Sequence, residues 1–293
     1  MDSKSLEQKY QKKTQIEHVL DRPDTYVDNT KIQEDMMDVF DDNLRRIVRK
    51  NIKYVPALYK IFDEIIVNAF DHTKTDPTCD TIKISIDKDK NEISVFNNGK
   101  GIDVEIHPQH KIYIPELIFG ELLTSTNYDD TQARTTGGRN GYGAKLTNIF
   151  SSKFIIETVD EVRKRKFYQE FSENMGKRTK AKVTDYKLKS YTQITFYPDL
   201  KRFGLTELSD DIVGLFKKRA YDIAGLGEKL KVYYNDNKIE TNNFKKYITL
   251  YYPDEEVYFD EQERWKVGVM YKPDNNFEQK SFVNGICTYK GGN

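Results

Sequence analysis

The sequence has little cysteine and no long apolar run. Only 2 of its 293 residues are Cys, which excludes a disulfide framework and a Cys-rich zinc site. No stretch approaches the roughly 18 consecutive apolar residues of a membrane-spanning helix. The first 13 residues are polar and carry charges of both signs, which is unlike a secretory signal. The sequence therefore predicts an intracellular protein without a membrane partner.

The sequence also has no net charge. The 47 Lys and Arg residues balance the 47 Asp and Glu residues, which removes the simplest argument for a nucleic-acid-binding protein, a strongly basic total. Basic runs at 163–166, 177–182 and 217–219 could contact DNA phosphates, but the balancing acids favour a solvated surface for each. Aromatic residues are plentiful, with 20 Tyr and 16 Phe, and their large side chains provide enough apolar area for a folded core.

Apolar periodicity predicts an α+β chain of about two domains. Predicted helices cover residues 56–72, 115–123, 144–150, 210–224 and 244–252. Predicted strands cover 81–86, 92–96, 154–159, 167–171, 182–188, 192–197, 231–234, 238–240, 265–271 and 280–284. Helices and strands do not alternate strictly, which favours a sandwich with mostly antiparallel strands. We expect a domain boundary near residue 240, and the Gly-Gly after the last strand indicates a fragment of a longer protein.

Polar residues of the 56–72 helix form the first candidate site. Lys60, Glu64, Asn68 and Asp71 share the face opposite the apolar stripe, and a solvated surface is the ordinary explanation for such a face. Asn68 is unusual there, because Asn is a poor helix former. Its amide oxygen is suited to holding a metal ion, and Glu64, one turn away, could accept a proton from water.

Two glycine-rich segments follow that helix. Residues 97–102 read Asn-Asn-Gly-Lys-Gly-Ile directly after a predicted strand, which indicates a tight turn or a close approach to a ligand. Residues 137–145 contain four Gly and end on Lys145 at a helix start, an arrangement typical of an anion site. Leu146 stands where a P-loop has Ser or Thr and where the dinucleotide fingerprint has its third Gly. A flexible turn therefore stays an alternative for this segment.

The order and spacing of these segments resemble the GHKL ATPases, which include gyrase and histidine kinases. Longer strings are similar to eukaryotic-type DNA topoisomerase II, and the match runs from about residue 10 to the last residue. These strings include HVLDRPDTY at 18–26, LYKIFDEIIVNA at 58–69, GGRNGYGAKL at 137–146 and RAYDIAG at 219–225. The resemblance implies a GHKL (Bergerat) α/β sandwich with a mixed, mostly antiparallel sheet over residues 1–240, including an N-terminal dimerisation arm. Residues 241–293 would be the incomplete start of a transducer domain.

The resemblance also implies a function with ATP and Mg²⁺ as cofactors. The chain would bind and hydrolyse ATP as the gate of a type IIA topoisomerase, closing as a homodimer on ATP binding to capture a DNA segment. Glu64 would be the general base that activates water, and Asn68 would ligate Mg²⁺. The other implied nucleotide contacts are Asn98 and Thr195 near the adenine, Gly99, Gly101, Ser125, Thr126, Asn127, Arg139, Asn140, Gly141, Tyr142, Gly143, Ala144 and Lys145, with Tyr10 reaching the partner's nucleotide.

Some features depart from the family pattern. Val27-Asp28 stands where relatives have Ile-Gly, and Thr75 stands where they commonly carry Arg. The DNA-cleaving Tyr and a transducer Lys are not in this sequence, so DNA would be a partner only of the full-length enzyme, and hydrolysis of bound ATP–Mg²⁺ would be slow. A non-hydrolysing nucleotide-sensing module of the same fold stays an alternative, although the presence of Glu64 and Lys145 favours the enzyme. The expected location is the nucleus or, for a viral protein, the host cytoplasm or the virion.

Overall fold

A computed structural model of the chain describes residues 12–122, 141–271 and 277–288. Its helices are α1 (Gln15–Asp21), α2 (Pro56–Thr75), α3 (Ile114–Gly120), α4 (Gly143–Ile149), α5 (Asp210–Leu226) and α6 (Phe244–Thr249). Its strands are β1 (Gln33–Asp41), β2 (Arg46–Tyr54), β3 (Thr81–Asp87), β4 (Glu92–Asn98), β5 (Ser151–Asp160), β6 (Arg165–Ser172), β7 (Lys177–Arg178), β8 (Lys182–Asp185), β9 (Tyr191–Pro198), β10 (Lys231–Tyr234), β11 (Asn237–Lys238), β12 (Tyr258–Glu261), β13 (Lys266–Val269), β14 (Phe282–Val283) and β15 (Ile286–Cys287).

The main sheet joins strands that lie far apart in the sequence. Its order within the described residues is β11-β10-β3-β4-β9-β5-β6-β7, and β8 also pairs with β6. Neighbouring strands are antiparallel except β10 and β3, which are parallel. The predicted α+β class with a mixed, mostly antiparallel sheet is therefore confirmed. The pairs β1–β2, β12–β13 and β14–β15 form separate two-stranded sheets.

One face of the main sheet is buried beneath helices. Ile84, Val95, Ile194 and Ile156 are register neighbours across β3, β4, β9 and β5, and all four are at most 4% exposed. They belong to the same apolar cluster as the buried stripe of α2 and the apolar residues of α5. This packing fixes which face of α2 remains open to solvent.

The β1–β2 hairpin differs from the sequence prediction, which has no element between residues 27 and 55. Most side chains in the first half of β1 are exposed, so the alternation that marks a half-buried strand is absent. Strand β12 likewise lies in a segment for which no element is predicted, and α6 ends at Thr249 rather than at Tyr252. The domain boundary near residue 240 stays a prediction.

The basic run at 217–219 corrects another prediction. Lys218 is 6% exposed and Arg219 is fully buried, so these two residues of the run are not a solvated surface and cannot contact DNA phosphates. Acidic partners compensate the buried charges: Lys218 Nζ donates to Asp222 Oδ2 at 2.9 Å, and Arg219 Nε donates to Asp63 Oδ1 at 2.6 Å.

No helix in the described part of the chain is both long and apolar enough to cross a bilayer.

Candidate functional site

Helix α2 carries the first two candidate side chains on its open face. Pro56 lies in its first turn, where the missing N–H costs nothing, and its apolar stripe packs into the core. Glu64 is partly exposed and Asn68 is exposed, and they lie one turn apart. Burial lowers the pKa of Lys60, but the neighbouring Glu64 carboxylate outweighs it and raises that pKa overall. Lys60 and Glu64 form an ion pair on the same face.

The start of helix α4 lies directly against Glu64. A Cβ built on Gly143 would stand 1.8 Å from Glu64 Oε2 and 2.7 Å from Glu64 Cδ, so any larger residue at this position would displace the Glu64 carboxylate. The Thr147 hydroxyl holds the two helices together, donating to the carbonyl oxygen of Ile61 at 2.8 Å. The structure therefore brings the predicted general base together with the last residues of the predicted phosphate loop, 141–145.

Lys145 lies in the first turn of α4 and is only 2% exposed. Its Nζ donates to the carbonyl oxygen of Gly141 at 2.6 Å. Burial lowers the pKa of Lys145 to about 8. An anion placed beside this ammonium group would favour its charged form. The side chain is thus suited to an anionic ligand that enters from the side of Gly141 and Tyr142.

The turn at 99–101 lies at the other end of α2. Gly99 has φ +113° and Gly101 has φ +74°, and a Cβ would stand 2.6 Å from Asp76 Oδ2 at Gly99 and 1.9 Å from the Val159 carbonyl oxygen at Gly101. Asp76 caps the end of α2 and accepts a hydrogen bond from the Lys100 backbone N–H at 2.7 Å. Both positions therefore require Gly, because the backbone has a positive φ and because the turn passes close to the end of α2 at Gly99 and to β5 at Gly101.

A polar row crosses the helix-facing side of the sheet next to this turn. Asn97, Thr192 and Thr158 are register neighbours on β4, β9 and β5, and they continue the rows that hold Val95 and Ile194. Thr158 and Thr192 share a hydrogen bond of 2.8 Å between their hydroxyls. Asn97 is 6% exposed, and its amide nitrogen donates to the carbonyl oxygen of Asn98 at 2.9 Å. These side chains extend the candidate site into the sheet.

The structure does not bring Asn98 and Thr195 to that side of the sheet. Successive side chains alternate between the two faces of a strand, so Asn98 and Thr195 face away from α2. Asn98 Oδ1 accepts hydrogen bonds from the backbone N–H groups of Asp80 at 3.0 Å and Thr81 at 2.9 Å. Thr195 Oγ1 bonds to Ser94 Oγ at 3.0 Å. Asn97 and Thr192 are therefore site candidates that the sequence analysis does not contain. Asn97 could have been found from the alternation of the strand, because it lies two residues after the buried Val95 and so on the same face.

The remaining predicted contacts lie outside the described residues. They are Tyr10, Ser125, Thr126, Asn127, Arg139 and Asn140. Gly141, Tyr142 and Ala144 lie at the start of α4, beside Gly143.

The side chains around Glu64 offer few protein ligands for a metal ion. No group of three or more His, Cys, Asp or Glu side chains that could bind a metal occurs among residues 12–122, 141–271 and 277–288. Mg²⁺ commonly binds through one or two protein ligands together with substrate phosphates. The exposed Asn68 amide beside Glu64 is compatible with that kind of site and unsuited to a closed protein cage.

Comparisons with known proteins agree with this geometry. The sequence profile of the histidine kinase-, DNA gyrase B- and HSP90-like ATPases matches residues 54–202. The chain is 51% identical to DNA topoisomerase 2 of Acanthamoeba polyphaga mimivirus over 99% of its own length and 24% of that protein. It is 50% identical to the probable DNA topoisomerase 2 of Dictyostelium discoideum, again over 99% of its length, and covers 19% of that protein. The chain thus spans about a quarter or less of the length of these relatives.

Solved structures show the same relationship. The ATPase region of Saccharomyces cerevisiae topoisomerase II has a TM-score of 0.93 and 45% identity, with 97% of this chain and 76% of that chain covered. The ATPase and transducer domains of topoisomerase II from Balamuthia mandrillaris have a TM-score of 0.92 and 48% identity, with 96% and 73% covered. The chain belongs to the histidine kinase-, DNA gyrase B- and HSP90-like ATPase family and, within it, to the ATPase region of type II DNA topoisomerases.

Proposed function

We propose that the chain binds ATP along the open face of α2 and hydrolyses it. The observation that carries this proposal is the contact between the Glu64 carboxylate and Gly143 at the start of α4. This contact places a proton acceptor beside the first turn of α4 and the buried ammonium group of Lys145. Backbone N–H groups and a Lys are suited to stabilising the negative charge of a triphosphate.

The length of the site supports a nucleoside triphosphate. Gly143 marks one end at Glu64, and Gly99 marks the other, where its Cβ would stand 3.0 Å from His72 Nε2. Residues 64 and 72 lie eight positions apart on one helix, which corresponds to about 12 Å along its axis. A nucleoside triphosphate in an extended conformation therefore fits this site, with its γ-phosphate near Glu64 and its base near the 99–101 turn.

The polar row in the sheet supports the placement of the base at that end. Asn97 and Thr192 face α2 and carry both donor and acceptor atoms, which a heterocyclic base with ring nitrogens and an exocyclic amine requires. We therefore assign adenine contacts to Asn97 and Thr192, in place of Asn98 and Thr195.

Each reactive residue then has a distinct task. Glu64 accepts a proton from the attacking water, a contribution of about 10²- to 10⁴-fold in rate. Lys145 compensates charge on the triphosphate. Mg²⁺, held by Asn68 and the phosphates, would neutralise the charge that develops on the transferred phosphoryl group.

Turnover and binding by a Glu64→Gln variant test the proposal. We expect turnover to fall by about 10²- to 10⁴-fold, while the affinity for a non-hydrolysable ATP analogue with Mg²⁺ changes less than about threefold, because the base acts only in the transition state. Glu240→Gln is the matched control, since Glu240 lies outside the site with its side chain 81% exposed. Unchanged turnover in Glu64→Gln would refute the assignment of the base. If the wild-type chain binds the ATP analogue but does not hydrolyse ATP, the result would support the alternative of a non-hydrolysing nucleotide-sensing module.

We further propose that the whole protein is an ATP-dependent type II topoisomerase in which this chain is the ATP-operated gate. Support comes from the relatives, which carry the name DNA topoisomerase 2. ATP binding would close a homodimer, with Tyr10 reaching the partner's nucleotide, and DNA would bind the full-length enzyme. Mass measurement in solution with and without the ATP analogue tests dimerisation, and a Tyr10→Ala variant should remain monomeric. The intracellular or nuclear location stays a prediction.

A further inference from the structure

A buried group of charges connects α2, α5 and the β14–β15 hairpin. Arg219 on α5 is fully buried, and its guanidinium donates to two residues that lie far before and far after it in the sequence. Its Nε donates to Asp63 Oδ1 on α2 at 2.6 Å, and one of its terminal nitrogens donates to the carbonyl oxygen of Gly285 at 2.6 Å. A single guanidinium group therefore contacts both the helix that carries Glu64 and the turn of the hairpin.

The hairpin turn also contacts α2 directly. Asn284 and Gly285 have φ +49° and +83°, and they connect the paired residues Val283 and Ile286 as a two-residue turn. A Cβ built on Gly285 would stand 2.6 Å from Phe70 Cδ1. The turn is thus held against α2 at two points, one of them through Arg219.

Neighbouring charges keep the group neutral and hold α5 and α6 in place. Asp222 accepts hydrogen bonds from Lys218 Nζ at 2.9 Å and from the Tyr247 hydroxyl at 2.7 Å. Two basic and two acidic side chains are therefore buried together, so removing any one of them leaves a charge without compensation. The Tyr247 ring also lies edge-on to Phe282 of the hairpin, with the centroids 5.8 Å apart.

Asp63 directly precedes Glu64, so the bond from Arg219 acts on the part of α2 that matters for catalysis. Consecutive helix residues project about 100° apart, and Asp63 accordingly faces the interior while Glu64 faces the open site. A hydrogen bond to Asp63 restrains rotation of α2 about its own axis. Rotation would move the Glu64 carboxylate relative to Gly143.

We propose that Arg219 is a positioning residue that couples the β14–β15 hairpin to Glu64, so that displacing the hairpin slows ATP hydrolysis while nucleotide affinity is retained. This inference rests on the proposed role of Glu64. The β14–β15 hairpin, residues 282–287, thereby influences the rate of hydrolysis through the position of Glu64 and without contacting the nucleotide.

Displacement of the hairpin by Gly285→Ala tests the coupling. The added methyl group must push the turn away from Phe70, and we expect turnover to fall by about 10- to 100-fold, as for small misplacements of a catalytic group. The affinity for the ATP analogue should change less than about threefold. Gly204→Ala is the matched control, since Gly204 also has a positive φ, +66°, but no atom lies within 4 Å of its added Cβ. Equal turnover in Gly285→Ala and Gly204→Ala would overturn the proposal.

A second variant separates coupling from general damage. Arg219→Lys keeps the buried positive charge but lacks the planar fork that reaches two acceptors at once. We expect a loss of turnover similar to that of Gly285→Ala, and no further loss when the two changes are combined, because both interrupt one connection. Multiplying losses in the double variant would contradict the coupling.

Amide hydrogen exchange of residues 56–75 without nucleotide distinguishes failure of this inference from failure of the proposed function. Gly285→Ala and Arg219→Lys should both raise exchange in α2, whereas Gly204→Ala should not. A wild-type chain that binds no ATP would refute the proposed function, while raised exchange would still support the structural connection. Unchanged exchange in both variants would overturn the connection whatever the activity.

Discussion

A methyl group at Gly143 is the smallest change that should remove Glu64 from its place. In Gly143→Ala the new Cβ would lie 1.8 Å from Glu64 Oε2, whereas ordinary contact begins at 3.4 Å. The carboxylate must therefore move back by the difference, about 1.6 Å, and an error of about 1 Å can cost 10²-fold in rate. A 10²-fold loss corresponds to about 2.7 kcal/mol of transition-state stabilisation.

The same substitution should hardly affect folding. Gly143 has no positive φ, and the atom with the closest contact is the far end of a flexible side chain that is 21% exposed. Ala is also the better helix former, by at most about 1 kcal/mol. We therefore expect turnover to fall about 100-fold while the free energy of unfolding changes by less than about 1 kcal/mol.

Steady-state ATP turnover and denaturant unfolding, measured on the same preparations, check both expectations. Gly214→Ala is the matched control, because Gly214 is also helical and its added Cβ meets only Val39 at 3.8 Å. It should keep wild-type turnover and gain about 0.5–1 kcal/mol in stability. A folded Gly143→Ala protein with turnover close to wild type would refute the reasoning, since a base at Glu64 could not tolerate this displacement.

Three further predictions concern other parts of the site and the fold. Burial lowers the pKa of Lys145 to about 8, so ATP affinity should weaken by up to about tenfold per pH unit above pH 8, where the free protein loses the ammonium charge; Lys145→Arg should remove this dependence in a binding titration. Because that pKa lies below the ordinary value of 10.5, burial of charged Lys145 disfavours folding; this cost is full below about pH 8 and declines as pH rises from about 8 to 10.5. Gly101→Ala should destabilise by about 2–4 kcal/mol in urea unfolding, because its φ is +74° and its Cβ would meet the Val159 carbonyl oxygen at 1.9 Å, whereas Gly204→Ala should cost only about 1–2 kcal/mol. Asp28 is exposed with φ +82°, so Asp28→Gly should relieve about 1–2 kcal/mol of backbone strain. The greater freedom of Gly in the unfolded chain costs only about 0.5–1 kcal/mol. Thermal unfolding should therefore show a higher Tm for the variant, and a lower Tm would contradict this account.

Strong local patterns made most of the fold predictable. The start of α2 at Pro56 and the hairpin of β3 and β4 follow from an apolar stripe and from clear alternation, and both are confirmed. The β1–β2 hairpin escaped prediction because its exposed half lacks that alternation. Arg219 escaped because a run of three basic residues looks like surface, and the acid that compensates it, Asp63, lies 156 positions away in the sequence.

The candidate site was predictable in composition but not in orientation. Glu64 and the segment around Gly143 are brought together, as the motif order requires. Whether Asn97 or Asn98 faces the helices depends on strand register, and a shift of one residue exchanges the two faces. The Asn-Asn pair carries no signal that separates them, and only the burial of Val95 two residues earlier does so.

The strand order has a consequence for how the chain is made. The centre of the sheet pairs Ile93 with Phe196, and β3 receives its second neighbour only from Lys231–Tyr234. During synthesis α2 and the β3–β4 hairpin thus leave the ribosome long before the strands and helix that cover them. Such distant pairings fold slowly, and open strand edges favour association with other chains. The nascent chain therefore passes through a long aggregation-prone interval, and truncation before β10 leaves β3 as a permanent open edge.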